Sequence, residues 1–255
     1  MDSNSDIRKK IENVKRQIAL LDRKREALAD LLKKLEASSA KKETPSSARK
    51  KPLNINLYLS LFRGREDLFA RRWVNRKGRS GYSPACANEW IDGICLKPGV
   101  KCSPCKNRKF IPITEEIVRR HLKGKITMGV YPLLQNETCN FLAIDFDKKS
   151  WWQDLSTLVK VCHAKDVPVA VERSQSGNGA HAWFFFEEPV PAGKARNFGA
   201  ALLTEAMDYR PQIGLDSYDR MFPNQNTMPK GGFGNLIALP LQGQAVKNKN
   251  TVFLN

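Results

Sequence analysis

Apolar and polar positions follow two regimes along this chain. In residues 5–37, Ile7, Ile11, Val14, Ile18, Leu21, Leu28, Leu32 and Leu35 recur at steps of four and three, with a single break at Arg25. That seam predicts an amphipathic, coiled-coil-like helix over residues 1–37 which pairs with another helix, of the same protein or of a second copy. A solvated helix docked on the body is the alternative. Residues 38–53, rich in Ser, Ala, Lys and Pro, lose the period and read as a flexible linker.

From Asn54 onward the pattern changes to short apolar runs separated by turns. Leu57, Tyr58, Leu61 and Phe62 form a stretch compatible with helix or strand. Thr114-Glu-Glu-Ile opens a helix to about His121, with Thr114 as its cap. Met128 to Leu134 reads as a strand and Cys139 to Phe146 as the central one. Ser150-Trp-Trp-Gln153 has the spacing of a capping box and starts a helix to about Ala164. Strands follow at Pro168 to Arg173 and Ala182 to Phe186, then a helix from about Ala192 to Tyr209, then a strand from Asn235 to Leu241. His121 and His163 read as packing or surface residues, and Cys139 and Cys162, in apolar contexts, as buried thiols.

The chemistry concentrates at the end of the central strand. Phe141-Leu-Ala-Ile-Asp-Phe-Asp147 runs apolar residues into two carboxylates at i and i+2, which a strand places on one face. Two acids so placed repel unless a cation lies between them, and Mg²⁺ or Mn²⁺ held by carboxylates serves nucleotidyl transfer. A solvated strand terminus is the plainer reading of this pattern alone. A second motif, Ser174-Gln-Ser-Gly-Asn-Gly-Ala-His181, supplies Gly177 and Gly179 for close backbone approach to a phosphate and Ser176 as a hydroxyl donor. His181 faces the Asp pair if the two strands are neighbours. A third, Gly214 to Gln225, offers Asp216 or Asp219 beside Arg220 and the amides Asn224 and Gln225. A third acid completes a two-metal ligand shell, and Arg220 suits a triphosphate.

Cys86, Cys95, Cys102 and Cys105 fall among Gly93, Pro98, Gly99 and Pro104, and Cys102-Ser-Pro-Cys105 is a CxxC knuckle. Four thiols in a loop-rich stretch suit a structural Zn²⁺ site, which predicts a zinc module over about 79–110. Disulfides are the alternative, and they suit poorly a chain whose N-terminus shows no signal-peptide core.

Composition adds a partner. The 255 residues are 41% hydrophobic, with 12 Phe and 5 Trp, enough to fill a core, and the formal charge is +17. Residues 1–53 hold 15 Lys and Arg against 8 Asp and Glu, residues 54–125 hold 16 against 6, and residues 126–255 hold 12 against 12. The half with the Asp pair is neutral. The excess beside it predicts a basic platform for a phosphate backbone, with Arg71, Arg72, Arg108 and Lys109 as candidate contacts. No apolar run approaches the roughly 20 residues of a membrane span, so the expected location is the cytoplasm, with no membrane partner.

Taken together, the motifs resemble the archaeo-eukaryotic primase superfamily: an Asp-hydrophobic-Asp strand, a Ser-Gly-x-Gly-x-His strand, then a hydrophobic-Asp. Gly81-Tyr-Ser-Pro, the four cysteines, Arg108-Lys-Phe, Tyr131-Pro-Leu, Asp219-Arg-Met-Phe-Pro-Asn-Gln and Gly231-Gly-Phe-Gly-Asn-Leu-Ile-Ala-Leu-Pro-Leu-Gln extend the likeness over residues 54–255. They are similar to the primase-polymerase domain of TOTE conflict systems and of related CRISPR-associated primase-polymerases. The resemblance implies an α+β fold with an RRM-like palm and an α/β subdomain. It also implies template-directed nucleotidyl transfer from nucleoside triphosphates on single-stranded DNA or RNA, in a conflict or defence setting often joined to a helicase and a nuclease. Carried over, Asp145, Asp147 and Asp219 match the metal-binding acids, and Ser176 and His181 the nucleotide-phosphate motif. A non-catalytic nucleic-acid-binding zinc protein and a metal-dependent nuclease are the competing classes. Intact motifs oppose the first, and the glycine-rich His turn, idle in an enzyme with no triphosphate to hold, opposes the second.

Overall fold

The computed structural model describes residues 54–213 and 217–254, with six helical positions between Glu12 and Asp30. The seam helix as a whole, the linker and Asp216 lie outside the described residues. The chain divides into two compact units, Met1–Pro52 and Leu53–Asn255. Every candidate site residue falls in the second.

Its elements in order are α1 (Ile55–Leu61), β1 (Ala70–Val74), β2 (Ser80–Pro84), α2 (Glu115–Leu122), β3 (Met128–Val130), β4 (Thr138–Phe146), α3 (Trp151–Ala164), β5 (Ala170–Arg173), β6 (Ala180–Pro191), α4 (Ala192–Tyr209), β7 (Tyr218–Phe222), β8 (Ile237–Ala238), α5 (Gly243–Val246) and β9 (Phe253–Leu254). The undecided stretch at residues 57–62 is helical. Asn54 caps it by accepting from Leu57 N at 3.2 Å, and Tyr58 and Phe62, one turn apart, both turn into the core.

Two antiparallel sheets form, one ordered β2-β1-β3-β8 and the other β7-β4-β6-β5-β9. In the second, β4-α3-β5-β6-α4-β7 is a βαββαβ run with its strands interleaved, the split arrangement in which both helices cover one face. Leu142, Ile144 and Phe146 of β4 pack with Leu155, Leu158, Leu202 and Leu203 of those helices. Phe141 and Ala143 face the other way and pack with Tyr58, Phe62, Val130 and Ile237. β4 is therefore buried on both faces, which is why its sequence is continuously apolar rather than alternating. Asp145 shares the Phe141/Ala143 face, which turns toward the four-stranded sheet.

Several expectations are corrected. The strand expected over Met128 to Leu134 stops at Val130. The Asn235 to Leu241 strand shrinks to Ile237–Ala238, and it pairs with β3 rather than with the aspartate-bearing sheet. Ser150 does begin α3, but no side-chain cap forms there; its hydroxyl instead donates to Asp154 at 2.8 Å. Thr114 does cap α2, accepting from Ile117 N at 3.4 Å. His121 is fully buried, with its ring nitrogens against Pro240 O and Met128 N, and Cys139 and Cys162 are buried as expected.

Candidate metal and nucleotide site

Strand register assembles the acids. Asp145 of β4 lies opposite His181 of β6 on one side and opposite Arg220 of β7 on the other. On the β7 side the ladder skips from Asp145↔Arg220 to Phe146↔Tyr218, leaving Asp219 as an extra residue. In an unbroken ladder Asp219 would oppose Phe146 and point at the helices. The bulge turns it onto the Asp145 face instead, a common use of bulges beside active sites. Ligand atoms of Asp145, Asp147 and Asp219 all lie within 4.8 Å of one another, the one such group of three or more among the described residues. Arg220 donates to its neighbour Asp219 at 2.5 Å.

The loop entering β7 is fixed from below. Fully buried Asp154 of α3 accepts from Ser150, Arg210 and Ser217, and Asp147 N donates to Ser217 O at 2.8 Å. The backbone of one acid is thereby tied to the segment carrying another.

Burial raises the Asp145 carboxyl from 3.8 to about 6; His181 and Arg220 oppose the rise, while Asp147 and Asp219 add to it. Three hard oxygen donors in a partly desolvated cluster fit Mg²⁺ or Mn²⁺ and fit poorly with no cation at all.

His181 sits 3.4 Å from Asp145 through Nε2, while Nδ1 lies 2.6 Å from Glu172 of β5. Glu172 is 1% exposed and also accepts from Trp183 Nε1 at 3.2 Å. Burial disfavours the charged imidazole, yet Glu172 and Asp145 outweigh it, so the His181 pKa rises above its ordinary value. Glu172 escaped the sequence analysis. Its signal was an acid closing the apolar run Pro168 to Val171, on the face it shares with Ala170.

The glycine turn packs directly against the acids. A Cβ on Gly179 would lie 2.4 Å from Asp147 Oδ1, so this glycine makes room for the aspartate itself. Gly177 takes φ +79°, and the turn is braced by Arg173 Nε to Gly177 O at 3.0 Å and Asn250 Nδ2 to Gln175 O at 3.1 Å. Ser176 is exposed and accepts from Asn178 N within its own turn; no contact joins it to the aspartates.

The four cysteines are free thiols lining one cavity of about 20 Å³ in the loop after β2, which the Cys86↔Phe110 bridge closes. Lys109 N donates to Cys86 Sγ at 3.2 Å, and backbone N–H groups of Lys97 and Trp90 lower the Cys95 pKa. Backbone amides at Cys86 and Cys95 favour thiolates, the form that binds Zn²⁺. The sulphurs are not drawn as close together as the carboxylates are.

The basic candidates do not share a face. Arg71 pairs with Glu89 on the outer face of β1, whereas Arg72 lies opposite Tyr82 on the other. Tyr82 reaches Gln175 of the glycine turn at 3.3 Å, so that face touches the nucleotide motif. Arg108 donates to Ser103 O and covers Phe110, and Lys109 is exposed. Among the described residues no helix is long and apolar enough to cross a membrane.

A solved polymerase domain from Mycobacterium tuberculosis Ligase D, in complex with DNA, is similar over 73% of this chain and 71% of that one, at 13% identity and a TM-score of 0.46. No curated protein gives a match. The family described as "TOTE conflict system, Archaeo-Eukaryotic Primase domain" matches residues 53–255, which include both sheets, the acidic cluster and the cysteine loop. The chain belongs to the archaeo-eukaryotic primase domain family of TOTE conflict systems.

Proposed function

We propose that this protein is a template-directed nucleotidyltransferase, a primase-polymerase that joins nucleoside triphosphates on a single-stranded nucleic acid within a conflict system. The observation that carries the reading is the convergence of Asp145, Asp147 and Asp219 beside a buried Glu172–His181 pair, in a chain of this family. Asp145, Asp147 and Asp219 would hold Mg²⁺ or Mn²⁺, which when bound supplies Lewis-acid stabilisation of charge at the phosphate under attack.

The chain's own residues do the rest. Glu172 accepts from His181 Nδ1–H and favours the protonated ring, whose Nε2–H points into the acid cluster and donates to a phosphate oxygen. Arg220, half exposed at the rim, neutralises the outgoing phosphates, and the glycine turn, packed on Asp147 through Gly179, walls that side of the site. A 3′-hydroxyl, giving up its proton to solvent, attacks the α-phosphate directly as the bond between the α- and β-phosphates breaks and pyrophosphate leaves, with no covalent enzyme intermediate. Cys86, Cys95, Cys102 and Cys105 would hold a structural Zn²⁺. Arg72, Arg108 and Lys109, with Arg71 once it leaves Glu89, would contact the template backbone. Residues 1–37 would provide self-association, and helicase and nuclease activities would act on the same nucleic acid.

A nuclease using the same acids leaves His181 and its buried carboxylate without a task. The purified full chain, a primed single-stranded template, labelled nucleotides and Mn²⁺ or Mg²⁺ separate these readings. Template-dependent extension is expected; shortening of the template without extension would replace the polymerase reading by the nuclease one.

A further inference from the structure

A groove of about 510 Å³ lies on the outer face of the β1–β2 hairpin, away from the acid cluster, lined by Arg71, Trp73, Ser83, Trp90, Lys97 and Pro98 among others. Its two indoles are arranged in a way that core packing does not require. Trp73 is 44% exposed and lies across Gly81, where an added Cβ would sit 2.7 Å from its Cζ2. The bare glycine lets one ring face rest on β2 while the ring stays open to solvent. Trp90 is 68% exposed and takes φ 64°, a left-handed backbone that a bulky residue rarely adopts. The loop thus holds the Trp90 ring open to water instead of tucking it into a core.

Charge identifies the occupant. Glu89, at the groove floor, has its side chain only 7% exposed and is held by both Arg71 and Lys97. Two cations therefore face one acid. Lys97 Nζ also stands 5.4 Å from the Trp90 ring centroid. Arg76, Lys77 and Arg79 follow in the turn from β1 to β2, within a stretch of 16 Lys and Arg against 6 Asp and Glu over residues 54–125. An aliphatic protein partner has no need of paired indoles ringed by cations. Unstacked bases on a phosphate backbone need both.

The geometry points to this groove as a base-stacking site for single-stranded nucleic acid, in which bases lie on Trp73 and Trp90 while Arg71 and Lys97 meet the phosphates. The site rests on the polymerase reading for its biological role, as a grip on template that has yet to reach, or has already left, the acid cluster. Binding itself needs neither metal nor nucleotide.

The test uses the full chain and a short fluorescent oligothymidylate without divalent metal. Tryptophan emission should be quenched on binding. Trp73→Ala and Trp90→Ala should each weaken binding by roughly 5- to 100-fold with the salt slope unchanged, because stacking is lost and charge is not. Trp90→Phe should restore most of the affinity, and Trp152→Ala, exposed elsewhere at 52%, should change nothing. Wild-type affinity in a folded Trp90→Ala protein overturns the site, as does oligothymidylate binding without quenching; should Trp73→Ala melt without cooperativity, Trp90→Ala decides. The two readings fail separately. Intact, tryptophan-dependent binding with no nucleotide incorporation sinks the polymerase reading alone, while incorporation that survives with binding unchanged in the tryptophan variants sinks the groove alone.

Discussion

In the five-stranded sheet the acidic cluster is placed by strand register, whereas the four thiols of the loop after β2 are placed by turns. Asp145 sits between two paired strands, and its neighbours are completely buried. The thiol loop has no strand pairing beyond one bridge, and it exposes Trp90, Ile91, Ile94 and Leu96. A sheet with helices on one face makes its own core and can carry repelling charges at the ends of its strands. A loop of turns buries too little apolar surface to hold four thiols unaided, so there the ligand would supply the folding energy.

Mutation should separate the two regions most sharply at the acids. Asp145→Ala or Asp147→Ala is expected to abolish nucleotide incorporation while metal-free Asp147→Ala melts at or slightly above the wild-type temperature, because one of several like charges is gone. Substantial incorporation by either variant would remove the acid cluster from the chemistry.

Next in size is the thiol loop. Freshly purified protein should carry about one Zn²⁺, and Cys102→Ser should lose it and unfold the loop while near-ultraviolet signals from buried Trp183 persist. Elemental analysis finding no zinc in protein never exposed to chelator overturns the metal assignment.

A smaller effect tests how the acid site is oriented. Glu172→Gln preserves shape and leaves the ring of His181 free to choose its tautomer. Incorporation should fall by roughly 10- to 100-fold, the usual cost of losing the partner that orients a site histidine, mainly through weaker nucleotide binding. Unchanged nucleotide KM and rate would make Glu172 a packing residue only.

The least effect is on stability against pH, and both titrating groups give it the same sign. Asp145 holds its proton to about 6 when folded against 3.8 as an ordinary carboxyl, so the folded state binds more protons across that window and loses stability as pH rises through it. His181, raised above its usual value, stabilises fully below about 6.5 and loses that contribution as pH climbs past its folded pKa. Metal-free protein should therefore be more stable at pH 5 than at pH 8, by roughly 1 to 3 kcal/mol. Mn²⁺ or Mg²⁺ should raise the melting temperature more at pH 8, where the ligands are already deprotonated. A metal-induced shift equal at both pH values would detach Asp145 from the ion.

Much of this was legible in the sequence because it depends on local rules. The Asp-x-Asp spacing of Asp145 and Asp147, the Thr114 cap and the helix from Ala192 to Tyr209 each follow from period, spacing or a short-range hydrogen bond. What tertiary structure alone decided was pairing. The bulge that turns Asp219 toward Asp145 exists only between β7 and β4, and no residue count within β7 announces it. Glu172 acquires meaning only when β5 lies beside β6 and sets it against His181. Gly179 reads as a phosphate-turn glycine until Asp147 is found against it. Arg71 and Arg72 are consecutive and basic, yet the two-residue period of β1 sends them to opposite faces, one into the tryptophan groove and the other onto the face that meets the glycine turn. Sequence fixes which chemistries a strand carries, because side-chain identity and alternation are local; which of them meet depends on contacts between distant segments, which only the folded sheets create.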